Sequence, residues 1–171
     1  MYVLGISSFY HDSSACLFKN GELVFACEEE KFTGIKHDSS FPINTIQHIF
    51  GYYNITYDDI EMVCYYEDLN LKLKRVLSNI KKNFFTSPKY SLKSLVKILK
   101  NISDVNKHLK PFKGRVFYSE HHLAHQYYSF FTSDFERAIC LSIDGVGEID
   151  TLSFGLADDD GIEYHLSLIH I

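Results

Sequence analysis

The chain has 171 residues, 46% hydrophobic and 23% charged, with a formal net charge of −5. This is a folded composition, long enough for a real core and too short for two large domains. It excludes a disordered chain.

VLGIS, from Val3, reads as a strand that the loop formers FYHDSS interrupt and ACLF resumes. KNGE supplies an Asn20-Gly21 turn, a strong hairpin signal, so LVFAC is a third strand. His11 and Asp12 arrive before a signal-peptide core can form, and no later apolar run reaches a membrane span. Cys16, Cys27, Cys64 and Cys140 lie far apart without a CxxC pair, and are expected to be buried reduced thiols of a cytoplasmic protein.

After the acidic run Glu28 to Glu30 comes a loop, and then Pro42 stands where a first helical turn tolerates it. Ile43, Ile46, Ile49 and Phe50 recur at helical spacing. IEMVCYY, from Ile60, is a short strand. Two helices split near Ser87-Pro88 follow, then a strand from Arg115, a short helix from His122 to Phe131, and a buried strand from Ala138 to Asp144.

Charge is unevenly spread. Residues 71–113 hold twelve Lys/Arg against Asp104 alone, or +11, leaving five basic and twenty-one acidic residues elsewhere, or −16. Such a stretch meets an anionic partner or forms a solvated helical hairpin with lysines on one face. The absence of interleaved stacking aromatics favours the hairpin over nucleic acid.

LSIDGVGEIDTLSFGLADDDGIEYHL repeats the strand, loop, strand, turn, strand course of LGISSFYHDSSACLFKNGELVFA. The pair suggests a duplicated βββαβα fold: a first lobe over 1–137 with a basic helical insertion at 71–113, and a second lobe starting at 138–165. Chance likeness of two meanders is the competing explanation. The final LSLIHI, 166–171, matches the translation of a common transposon-based sequencing adapter and is expected to lie outside the natural fold.

Three histidines crowd YSEHHLAHQYYSFF. His121 and His125 stand four apart and would project from one helical face, converging on an ion. An imidazole pair needs a further ligand, and Asp144, ending a strand and opening DGVGE, is the best candidate; Fe, Zn and Mn all suit such a set. Helix-capping histidines are the alternative. In the first hairpin loop, the amides and hydroxyls of Ser13 and Ser14 are expected to hold phosphate oxygens, as are the Gly145 and Gly147 amides, and His11 to donate to a developing charge. An Asx turn at Asp12 explains the same residues. Lys36-His37-Asp38 brings a cation to an anionic ligand, or is a surface loop.

Together, LGISSFYHDSSACLFKNGELVFACEEEKFTGIKHDSSFP, EHHLAH and LSIDGVGE resemble the ordered signatures of the antibiotic- and nodulation-type O-carbamoyltransferases. The resemblance implies an actin-like ATPase (ribonuclease H-like) α/β fold, related to the tRNA threonylcarbamoyl-adenosine enzymes. It also implies ATP-dependent transfer of a carbamoyl group, from carbamoyl phosphate through carbamoyl-adenylate, to a hydroxyl of a small-molecule acceptor. His121, His125 and Asp144 match its metal ligands, with Fe(2+) expected, and His11 and Lys36 match its nucleotide and carbamoyl site. Lys31 and Gly34 stand where arginines are usual. A second lobe with a further metal-binding Asp, and a second domain, would follow in the same chain.

Overall fold

In the computed structural model, residues 1–10, 12–83, 85–144 and 150–169 are described. They form two compact units: Met1–Tyr66 with Val96–Tyr118, and Glu67–Leu95 with Ser119–Ile171.

The first unit is built on β1 (Tyr2–Ser7), β2 (Ser14–Lys19) and β3 (Glu22–Glu28), an antiparallel meander. Asn20 and Gly21 join β2 to β3 with φ of 53° and 88°. Both are left-handed, as a two-residue turn matched to strand twist requires. Strand β4 (Ile60–Tyr65) adds parallel to the free side of β1, and β5 (Arg115–Tyr118) adds parallel to β4, giving the order β3-β2-β1-β4-β5. Helices α1 (Glu30–Thr33) and α2 (Ile43–Tyr53) lie between β3 and β4. Leu4, Ile6, Ala15 and Leu17 alternate into the core with Ile60, Val63 and Tyr65, and α2 adds Ile46 and Ile49. Three antiparallel strands, a helix and a parallel strand on β1 make a mixed α/β unit with the strand and helix course expected of the first lobe.

Helices α3 (Leu69–Asn83) and α4 (Pro88–Leu109) carry the basic stretch. Ile98, Val105 and Leu109, seven and four apart, make one buried face of α4. Leu77, Leu92, Val96 and Leu99 stay exposed, so the apolar side of this pair is only partly covered.

The second unit holds α5 (His121–Phe131) and the antiparallel sheet β6 (Ala138–Ile143), β7 (Asp150–Asp158), β8 (Gly161–Ile169). Residues 119–137, expected with the first lobe, belong to this unit. Phe130 of α5 packs with Cys140 and Ala157 on one face of the sheet. The β8 backbone pairs with β7 through residues 166–169, so the LSLI of the final hexapeptide extends this strand. Cys140 is buried as expected, but Cys16, Cys27 and Cys64 are only half-buried, and all four are free thiols. Among the described residues no helix is long and apolar enough to cross a membrane.

Candidate functional site

Helix α5 starts at His121, one residue earlier than its spacing suggests, because Glu120 is extended and its carbonyl already accepts the Ala124 N–H at 2.9 Å. That start puts His121 in the first turn with His125 one turn on, both on one face. Asp144 directly follows β6, and its N–H donates to the Thr151 carbonyl at 2.9 Å, which fixes its backbone to β7. The three side chains meet. His121 Nε2 lies 2.8 Å from Asp144 Oδ2, and His125 Nε2 lies 3.2 Å from His121 Nε2, the rings being 4.6 Å apart and near perpendicular.

This geometry fits a shared cation. Two donors bound to one ion at about 2.1 Å are separated by roughly 3.0–3.4 Å. The observed spacings fall close to that, and the three ligand atoms lie within 4.8 Å of one another. A single Nε2 of His121 facing both a carboxylate oxygen and a second imidazole nitrogen has at most one proton to share between them. A cation among the three satisfies each lone pair at once. Loss of hydration, and then the neighbouring His121, push the His125 pKa down, favouring the neutral ring that a metal needs.

His122 turns the other way. It is buried, its Nδ1 is 2.9 Å from Ser153 Oγ, and Gln126 Nε2 donates to the same oxygen at 3.0 Å. The backbone carbonyl of His122 accepts from Ser142 Oγ at 3.3 Å. These bonds pin α5 to the sheet with His121 and His125 facing Asp144.

In the first unit, His11 lies outside the described residues, as do Gly145 and Gly147 in the second. Ser13 is fully buried: its N–H donates to the Asp38 carbonyl at 2.9 Å and its Oγ to the Ser7 carbonyl at 3.1 Å. Both Ser13 donors are therefore spent on the protein. Ser14 starts β2, paired with Ser7 and Glu28. Lys36 is exposed. Beside it, His37 Nδ1 lies 2.7 Å from Asp12 Oδ1, and the His37 N–H donates to Glu30 Oε2 at 3.0 Å. Hydrogen bonding to Asp12, and then its charge, raise the His37 pKa. The His37 N–H, and then Lys31, lower that of Glu30. Asp38 accepts from the Ser40 N–H and the Thr33 hydroxyl, each at 2.8 Å, and the Ser40 bond leads in lowering its pKa.

One residue escaped the sequence reading. Glu29, fully buried, takes the Asn44 N–H and Nδ2 on one carboxylate oxygen at 3.0 and 2.7 Å, and the Thr45 N–H and Oγ1 on the other at 2.9 and 2.7 Å. It closes the N-terminus of α2, whose own preceding residue, Pro42, gives no side-chain cap. The available signal was weak: an acid within a run of three, and Asn-Thr just after a helix-starting proline.

The family model for the carbamoyltransferase N-terminus matches residues 2–171. The chain belongs to this family. As a carbamoyltransferase N-terminus it is 35% identical over 167 residues to an uncharacterized protein of Synechocystis sp., covering 89% of this chain and 26% of that protein. It is 30% identical over 148 residues to the nodulation protein NolNO of Sinorhizobium fredii, covering 83% of this chain and 20% of that protein. An uncharacterized protein of Methanocaldococcus jannaschii is 29% identical, with 94% and 25% covered. The chain thus spans about a quarter or less of the length of these relatives. YeaZ from Pseudomonas aeruginosa superposes with a TM-score of 0.49 at 7% identity, over 97% of this chain and 65% of that one.

Proposed function

We propose that this chain is the N-terminal part of a cytoplasmic, ATP-dependent carbamoyltransferase acting on a small-molecule hydroxyl. The donor is carbamoyl phosphate: water cleaves it to carbamate and phosphate, a carbamate oxygen attacks the α-phosphorus of ATP and displaces pyrophosphate to give carbamoyl-adenylate, and the acceptor hydroxyl oxygen, losing its proton, then attacks the carbamoyl carbon and displaces AMP. The convergence of His121, His125 and Asp144 in a member of the carbamoyltransferase family carries this reading.

His121 and His125 present neutral nitrogens and Asp144 a carboxylate, a set suited to Fe(2+), with Zn or Mn as substitutes. A cation bound there supplies Lewis-acid contact to phosphate oxygens. Lys36 places a mobile cation at the anionic donor, His11 donates toward the attacked carbamoyl oxygen, and amides at Ser14, Gly145 and Gly147 face phosphate. The remaining chain completes the adenosine and acceptor sites.

The test uses the full-length protein with ATP and carbamoyl phosphate. AMP release that requires both, and rises with a hydroxyl acceptor, is the expected result. His121→Ala with His125→Ala should abolish it and remove bound iron, measured by elemental analysis. Equal metal in both proteins removes the site. The +11 stretch favours a second reading, transfer to tRNA. Tight tRNA binding that weakens steeply with salt would replace the small-molecule acceptor.

A further inference from the structure

Five non-glycine residues of the described chain adopt positive φ. Two have ordinary reasons: Asn20 makes the hairpin turn, and Asn54 ends α2 in the left-handed cap position. The other three, Phe9 (65°), Asp12 (55°) and His37 (56°), fall on two loops, the one entering β2 and the one entering α2. Aspartate and histidine enter this region more readily than most residues, whereas phenylalanine is held there at a cost that glycine would avoid.

At two of these positions the side chains meet, through the 2.7 Å contact between His37 Nδ1 and Asp12 Oδ1. Backbone bonds run alongside: Phe9 N–H donates to the Ser39 carbonyl and Ser13 N–H to the Asp38 carbonyl, both at 2.9 Å. Glu30 holds the His37 N–H from the third side. Asp12 directly follows His11, and His37 directly follows Lys36. The latched residues are therefore the chain neighbours of both groups assigned to the carbamoyl donor.

We propose that Asp12 and His37, with Glu30 bracing the His37 backbone, are positioning residues: a latch that joins the two loops and sets the placement of Lys36. The functional half of this inference rests on the carbamoyl-transfer reading; the structural half does not. The charged groups around the His37 ring are Asp12, Glu30 and Glu28, with Lys31 bridging the last two at 3.0 and 3.6 Å and Lys36 adjacent in sequence. Acids outnumber bases around the ring, so the latch holds with His37 protonated and loosens as the ring loses its proton.

Hydrogen exchange of the 171-residue chain tests the structural half. Asp12→Asn and His37→Gly should each speed exchange of the Ser13 and Phe9 amides by about tenfold, with β1 and β2 core amides unchanged. His37→Gly relieves its φ, so its Tm should not fall. Unchanged exchange at both amides, or a general loss of protection, overturns the latch. In full-length protein that makes AMP from ATP and carbamoyl phosphate, both variants should lower kcat about tenfold with KM for ATP unchanged. His37→Asn, which tolerates positive φ and still donates to Asp12, should recover much of kcat and lose the alkaline fall in the wild-type pH profile. Variants as active as wild type overturn the positioning role, whereas a wild type that makes no AMP overturns only the carbamoyl-transfer reading. Zinc added to His121→Ala with His125→Ala chain tests the remaining alternative: a micromolar shift of the His37 ring resonances would make the cluster a metal site and end the latch.

Discussion

Single side chains decide much of this molecule. Glu29 is a buried carboxylate with four donors arranged around it, and Glu29→Ala would strand the Asn44 and Thr45 amides without partners. The expected loss is about 3 kcal/mol, read from denaturant midpoints. Glu29→Gln keeps the shape but turns one acceptor into a donor facing donors, so it too should destabilise. The meeting of His121, His125 and Asp144 was legible because i, i+4 spacing and a strand-ending acid each imply a direction. Glu29 was not, since burial of one acid in a run of three depends on partners 15 and 16 residues away. The Asp12–His37 pair, 25 residues apart, was hidden for the same reason. Its pH response follows from the sign of the shift. The folded His37 pKa is raised, so the pair's contribution is full below the usual histidine value and fades as pH climbs through the raised one. NMR titration of the ring should show that raised value in wild type and its return toward ordinary in Asp12→Asn.

Elements follow patterns that survive in the fold where they are long or chemically marked. The Asn-Gly hairpin, the Ile43–Tyr53 helix and the β4 strand were readable from turn chemistry and period. The four-residue α1 was not, because a single turn has no period to detect. Strand β5 illustrates a constraint that no period carries. A Cβ added at Gly114, just ahead of it, would run into the backbone carbonyls of Ile60 and Glu61. Rigid backbone cannot yield as a flexible side chain does. Gly114→Ala should therefore pry β5 from β4 and lower stability by roughly 2 kcal/mol or more, with exchange loss concentrated in β4 and β5 amides.

At the scale of the molecule, the two sheets differ in cover. The repeat noted in the sequence sets Leu4 beside Leu141 and Ile6 beside Ile143. Leu4 and Ile6 are 0% and 3% exposed, whereas Leu141 and Ile143 are 59% and 72% exposed. With Ile139 at 70%, β6 turns an apolar row outward, directly opposite Leu156, Phe154 and Leu152 on β7. Soluble proteins rarely leave such a row uncovered. The 171-residue chain should self-associate with concentration in sedimentation velocity, and Ile139→Lys with Leu141→Lys should suppress this without lowering its Tm. In a protein as long as its relatives, where further chain covers this row, the same pair should cost stability. Equal tolerance in both would mean that the row faces water throughout.

The Glu29 cap has a kinetic corollary. The amides it satisfies belong to the first turn of α2, and the acid reaches them only from the end of β3. Nucleating that helix thus waits on the meander, instead of proceeding as an independent local event. Chevron analysis of Glu29→Gln should place its effect mainly on the unfolding limb if the helix docks late, and on the refolding limb if strand and helix condense in one step.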